Sequence, residues 1–236
     1  MIIEDLAMVV ADIFLSRAYV QALVKSDLYP SHVVILQTTK HRPGQYNGDP
    51  ADGELNRDNF NLNISIVDTL INSSIPYEII ENDDINDNEV VSALKQRPEM
   101  VFIYSGFGGV ILKKTTLGIG KRFLHVHGGY LPDYKGSTTN YFSLLGENFM
   151  GASSLFLSEV IDSGSLLMRK KYKPPVDRHK IDHIYDSQIR ADVLIKTLQR
   201  YCLSSQWDFE LDNQDKGDVY FIIHPVLKHL AISSAC

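Results

Sequence analysis
The chain has 236 residues, enough for one substantial domain with a buried core and a short appendage. Its 44% hydrophobic and 22% charged residues are those of an ordinary globular protein and exclude disordered or fibrous classes. A formal charge of −6 argues against a polyanion-binding surface, and two cysteines, Cys202 and Cys236, suggest neither a disulfide framework nor a cysteine metal site.

Taken in chain order, short apolar runs alternate with stretches of helical spacing. The runs Leu6 to Val10, Val33 to Leu36, Tyr77 to Ile80, Met100 to Tyr104, Phe123 to His127 and Ala152 to Leu157 read as strands. Ser16 to Lys25, Asn63 to Asn72, Asp87 to Gln96 and Thr139 to Leu145 read as helices, with Ser16 and Asp87 as caps. Such alternation predicts an α/β fold with a mostly parallel sheet. The segment from Thr38 to Asn61, rich in Gly, Pro, Asn and Asp, reads as a surface insertion. After a strand at Leu166 to Tyr172, Pro174-Pro175 breaks the pattern and an amphipathic helix is expected from about Ile181 to Cys202. Val219 to Ile223 suggests a terminal strand or hairpin. No apolar run approaches the roughly 20 residues that span a bilayer, and no basic start precedes a hydrophobic segment, so the expected location is cytoplasmic, with no membrane partner.

Three segments carry residues suited to chemistry. In Phe123 to His127 a strand places His125 and His127 on one side, and Gly128-Gly129 permits a sharp turn at the strand's carboxyl end, where ligands of open α/β sheets bind. Glu159 to Gly164 is a polar loop whose Asp162 could reach the histidines. Tyr104 to Leu112, with Gly106, Gly108 and Gly109, exposes backbone that could hydrogen-bond a flat heterocycle beside apolar walls. Each has a plainer reading taken alone: a turn for the glycines, a core residue or a metal ligand for His125, a loop cap for Asp162.

The ordered set resembles the folate-dependent formyltransferases, which include the methionyl-tRNA, glycinamide ribonucleotide and sugar N-formyltransferases. Their signature is Asn-x-His, a Leu-Pro turn, a basic-Gly pair and an Asp-x-Gly loop. His127, Leu131-Pro132, Lys135-Gly136 and Asp162-Ser163-Gly164 match it; His125 stands at the Asn position and Gly128-Gly129 at the usual Pro-Ser. The resemblance implies a Rossmann-like fold, an open twisted sheet with helices on both faces. It implies a catalytic domain over 1–172 and an extension over 173–236, a helix with a terminal strand or hairpin. It also implies N10-formyltetrahydrofolate as the cofactor, with no metal. His127, helped by His125, would stabilise the negative oxygen formed when an amine attacks the formyl carbon, and Asp162 would orient His127 and accept the amine proton. Tyr104, Ser105, Gly106, Phe107, Gly108, Gly109, Val110, Leu112 and Ile161 would face the folate.

The short stretch after Tyr172 and the acidic charge favour a small acceptor over nucleic acid. The run Gly136 to Tyr141 and the terminal His224 to Lys228 resemble formyltransferases of bacterial surface-sugar synthesis, which points to a nucleotide-linked amino sugar, on a pseudaminic-acid type pathway, and to a homodimer. Tyr130, Lys135, Ser137, Asn140, Tyr141, His224 and Lys228 are the candidate acceptor contacts, with surface solvation for Lys135 and helix packing for Tyr141 as the plainer readings. The alternatives are a glycinamide ribonucleotide formyltransferase, a metal-dependent hydrolase built on the two His and the Asp, and a catalytically silent folate or sugar sensor.

Overall fold
The computed structural model describes residues 1–38, 60–207 and 217–233. The expected insertion lies outside the described residues except at its ends, and so does Cys236. The chain packs as two compact units, Met1–His125 and Val126–Cys236.

The first unit is wound around a parallel sheet. Its strands are β1 (Ile2–Ala11), β2 (Tyr29–Leu36), β3 (Tyr77–Ile80), β4 (Val101–Ser105) and the first part of β5 (Arg122–His127). They lie in the order β3-β2-β1-β4-β5, and every pair is parallel. The central strand explains the pattern: Ala7 to Ala11 have no exposed surface, as a strand covered on both faces requires. The connecting helices are α1 (Phe14–Lys25), α2 (Ile66–Asn72), α3 (Asn88–Gln96) and the single turn α4 (Lys114–Leu117).

The helix caps divide. Asp87 caps α3 by accepting the Glu89 N–H, as expected. Ser16 does not cap α1, which begins two residues earlier; its hydroxyl is buried and bonded to the Ser105 carbonyl at 2.8 Å and the Ser105 hydroxyl at 2.7 Å. A tertiary partner has taken the oxygen that a local cap would have used. Ser65 caps α2 in a reciprocal Ser-Asp pair with Asp68, two residues inside the expected start at Asn63.

At the amino ends of these strands Glu99 is buried, held by Arg97 at 3.0 and 2.8 Å and by the Ser31 hydroxyl at 2.9 Å. Burial alone would raise its carboxyl. Hydrogen bonds from Arg97, its own backbone and Ser31 outweigh that and bring it down to about 2. A depressed carboxyl contributes stability that is present above the unfolded value and is lost as pH falls through the folded one. Glu99→Gln is therefore expected to lower the melting temperature at pH 7, with the gap to the parent closing as pH drops from about 4 to 2. A gap independent of pH in thermal melts would show that the Glu99 charge contributes nothing.

The second unit holds the end of β5, then β6 (Tyr134–Gly136), α5 (Thr139–Glu147), β7 (Met150–Phe156) and β8 (Leu166–Tyr172). β7 and β8 are antiparallel, with Met150 opposite Tyr172. Leu131, Leu155 and Leu166 form a buried cluster beneath them. The long helix α6 (Asp186–Ser204) packs on β7 and β8; where its first turn is expected, from Ile181, a π turn, Ile181–Tyr185, stands instead, preceded by a short 3₁₀ turn, Arg178–Lys180.

The terminal segment differs from a hairpin. β9 (Asp218–Tyr220) pairs in parallel with β6, drawn there by Tyr220, whose ring stacks on Tyr134 at 5.4 Å and meets Phe142 at 4.6 Å. The residues after it form a helix, α7 (Pro225–Ser233). Pro225 suits a first helical position because it has no N–H to satisfy there, and His224 Nδ1 accepts the Val226 N–H.

Candidate active site
His127 ends β5 and Asp162 sits in the loop between β7 and β8; both lie in the second unit, and both are buried. His127 Nδ1 stands 3.4 Å from Asp162 Oδ2. The opposite ring nitrogen, Nε2, is 2.8 Å from the Tyr134 carbonyl oxygen and 3.4 Å from the Thr139 hydroxyl. A carbonyl only accepts, so the Nε2 proton is fixed on that side, and Nδ1 is the ring atom left to take up or release a proton toward Asp162. Asp162 Oδ2 accepts the Gly136 N–H at 2.8 Å, which aims the carboxylate from β6. Asp162 has φ 51°, a left-handed conformation that Asp and Asn tolerate better than other non-glycine residues.

The turn after His127 is built for space rather than for unusual dihedrals, since neither Gly128 nor Gly129 has a positive φ. A Cβ on Gly129 would lie 2.5 Å from His127 Nε2, 2.5 Å from the Thr139 hydroxyl and 2.7 Å from the Tyr134 carbonyl. A Cβ on Gly128 would lie 2.6 Å from Asp186 Oδ1. The pair is thus no conformational device, contrary to expectation: imidazole, hydroxyl and carboxylate fill the room that side chains would take.

Asp186, at the start of α6, accepts from Asn140 Nδ2 at 3.0 Å and from Arg190 at 3.1 Å. Arg190 Nε donates to the Val126 carbonyl at 2.8 Å, so this network grips the strand end that carries His127. Thr139, Asp186 and Arg190 were not singled out from the sequence. Asp186 and Arg190 stand four apart on one helix, which reads as an ordinary surface ion pair.

Several expected acceptor contacts are committed elsewhere. Asn140 is buried and uses both ends of its amide, on Asp186 and on the Gly151 N–H at 2.7 Å. The Tyr141 hydroxyl donates to Asp182 at 2.7 Å, and Lys228 pairs with the other oxygen of that carboxylate. Lys135 is only 4% exposed, so its solvated reading does not hold. Tyr130 is half-buried, with the Arg169 guanidinium 4.7 Å and the Lys171 ammonium 4.8 Å from its ring centre; Ser137 and His224 are exposed.

In the first unit, His125 is half-buried with Nδ1 3.4 Å from the Tyr104 carbonyl. Tyr104, Ser105, Phe107 and Leu112 are buried, Val110 is half-buried, and burial pushes the Tyr104 hydroxyl pKa upward. Phe107 packs on Ala11 and Ile13. Gly108 and Gly109 are exposed with open space where a side chain would stand, and Gly109 has φ 80°. That leaves peptide edges uncovered, which suits a flat heterocycle. In the second unit, Ile161 is 50% exposed beside Asp162. Among the described residues no three His, Cys, Asp or Glu side chains are placed to hold a metal ion, so the two-His, one-Asp ligand set does not form.

A buried His-Asp pair at a strand end is common to many enzymes, and comparison with known proteins decides the family. The family model described as formyl transferase matches residues 30–190, about two thirds of the chain. The chain belongs to the formyl transferase family. It is 28% identical over 125 residues to a methionyl-tRNA formyltransferase of Chlorobium chlorochromatii, covering 51% of this chain and 38% of the relative. It thus spans about two fifths of the length of the curated relatives it matches. A sugar N-formyltransferase from Shewanella superposes with a TM-score of 0.58 at 15% identity, over 96% of this chain and 86% of that one. An N-formyltransferase from Helicobacter canadensis, solved with folinic acid and dTDP-3-aminofucose, gives 0.57 at 12% identity, over 93% and 71%. At these identities the structural likeness is one of fold, the α/β fold with a mostly parallel sheet that the sequence predicts. No helix among the described residues is long and apolar enough to cross a membrane.

Proposed function
We propose that this chain catalyses formyl transfer from N10-formyltetrahydrofolate to the amine of a nucleotide-linked amino sugar, with residues 1–172 as the catalytic region and 173–236 as an extension. The observation that carries the reading is the buried His127-Asp162 pair, 3.4 Å apart and aimed by the Gly136 N–H, in a chain of the formyl transferase family. The cofactor supplies an electrophilic formyl carbon when bound. Gly108 and Gly109 offer it backbone hydrogen bonds, and Val110 offers apolar surface. Asp162 fixes the Nδ1 edge of His127 and accepts the proton that the attacking amine must lose. The His127 ring, when Nδ1 carries a proton beside the one held on Nε2 by the Tyr134 carbonyl, and the His125 ring supply N–H groups for negative charge on the formyl oxygen, and a preorganised donor of this kind is worth about 10²–10³ in rate.

The sugar acceptor is favoured by a solved sugar N-formyltransferase and an N-formyltransferase solved with dTDP-3-aminofucose, both of which share the fold over nearly the whole chain. A cytoplasmic homodimer is part of this reading. The test is incubation of the purified protein with N10-formyltetrahydrofolate and a panel of nucleotide-linked amino sugars, with glycinamide ribonucleotide and methionyl-tRNA as rival acceptors. A sugar amine is expected to gain one formyl group as tetrahydrofolate appears. Turnover with only a rival acceptor would replace the sugar assignment, and no turnover with any amine would remove the enzymatic one.

A further inference from the structure
In the second unit, the short strand β6 holds both members of the buried pair. Its Tyr134 carbonyl accepts from His127 Nε2 at 2.8 Å, and its Gly136 N–H donates to Asp162 Oδ2 at 2.8 Å. Along a strand the backbone groups of alternate residues point to opposite edges, so these two share one edge and the Ser137 N–H faces the other. The imidazole and the carboxylate thus stand where a third strand would pair. The opposite edge belongs to β9, whose Tyr220 carbonyl accepts the Ser137 N–H at 2.8 Å.

The pairing is built for close approach at both ends. Gly136 has φ 99°, and a Cβ there would run into the Tyr220 carbonyl; Gly217 has φ 98°, and a Cβ there would run into the Pro132 carbonyl. Past β9, the Ile223 N–H donates to the Thr138 hydroxyl at 2.9 Å. Thr138 keeps φ 54°, a left-handed conformation that is rare for a β-branched residue and persists only where surrounding contacts impose it. The anchor of β9 is the Tyr220 ring, stacked on Tyr134 and in contact with Phe142 of α5. A three-residue strand paired with one other has little of its own to fix it, so the placing of β6 depends on that anchor.

We infer that Tyr220 is a positioning residue for the His127-Asp162 pair, acting through β6. It holds the strand whose Tyr134 carbonyl keeps the His127 proton on Nε2 and whose Gly136 N–H aims Asp162. Its effect on turnover rests on the formyl-transfer reading; its effect on the pair does not. The test is nitrogen NMR of the whole chain, isotopically labelled at histidine, without folate or acceptor, at about pH 8, where an ordinary imidazole is neutral. The His127 signals are assigned by their absence in His127→Gln. The parent is expected to show one tautomer, protonated at Nε2. Tyr220→Ala is expected to mix the two tautomers and to speed exchange of the ring proton at least about tenfold. Tyr220→Phe, which keeps the stacked ring, should match the parent. If melting curves show that Tyr220→Ala does not fold, Gly217→Ala decides in its place, because its methyl pushes β9 off the Pro132 carbonyl. With an acceptor in hand, kcat of the deciding variant should fall at least about tenfold while folate affinity changes less than about threefold. A lowered melting temperature with unchanged His127 signals would make β9 a packing element only and overturn the inference. A parent not protonated at Nε2 would overturn it too, as would a Tyr220→Phe variant as disturbed as Tyr220→Ala. Mixed tautomers in the variant of a chain that formylates no amine would keep Tyr220 in this role and remove the formyl-transfer reading alone.

Discussion

Asp162→Asn is expected to lower kcat/KM for formyl transfer by about 10³ while leaving fold and donor binding in place. The substitution is nearly isosteric, and asparagine accepts φ near 50° as readily as aspartate does, so the loop has no reason to move. An amide oxygen can still accept the Gly136 N–H that Asp162 Oδ2 now takes at 2.8 Å. What is lost is the negative charge beside His127 Nδ1, and with it the group that receives the amine proton. Because the His127 Nε2 proton is fixed on the Tyr134 carbonyl, the ring cannot take over by presenting its other nitrogen. The measurement is steady-state kinetics of both proteins on the best acceptor, with folate binding followed separately. A variant retaining more than about a third of the parental kcat/KM would remove Asp162 from the proton path, since general base catalysis contributes at least about 10².

The strands were the most legible part of the chain because a parallel sheet covered on both faces leaves continuous apolar runs. Tyr77–Ile80 and Leu166–Tyr172 end where the sequence placed them. The terminal helix was not legible. Val219 to Ile223 pulls the reading toward a strand or hairpin, whereas Pro225 begins a helix. Ser16 looked like a cap because nothing local competes for its hydroxyl; the competitor, Ser105, is 89 positions away in sequence. The same limit governs the site. His127 and Asp162 could be read from an ordered motif, whereas Thr139, Asp186 and Arg190 act through approaches made only when β5, α5 and α6 are packed. Asn140 shows the converse: a polar residue near the motif suggests a ligand contact, yet both halves of its amide are bonded within the protein.

The second large effect is expected at Gly129, from the addition of a single carbon. Gly129 does not have a positive φ, so alanine fits the backbone, and any loss must come from crowding. Its Cβ would sit 2.5 Å from His127 Nε2 and from the Thr139 hydroxyl, and 2.7 Å from the Tyr134 carbonyl; two of these three atoms are ring and backbone, which have little freedom to retreat. Either the imidazole turns away from the Tyr134 carbonyl, freeing Nε2 and moving Nδ1 off Asp162, or the β5-β6 connection opens. Displacements of about 1 Å in a catalytic group cost about 10² in rate, and overpacking costs about 1–3 kcal/mol in stability. Gly129→Ala is therefore expected to lose at least about 10² in kcat/KM, more than its fall in melting temperature accounts for. Gly146→Ala is the control, because there the same methyl would meet only the Tyr134 hydroxyl, at 3.5 Å, an ordinary contact. If both variants turned over at the parental rate, the contacts of His127 Nε2 would have no part in holding the reactive geometry, and the fixed-proton account of the pair would fail with them.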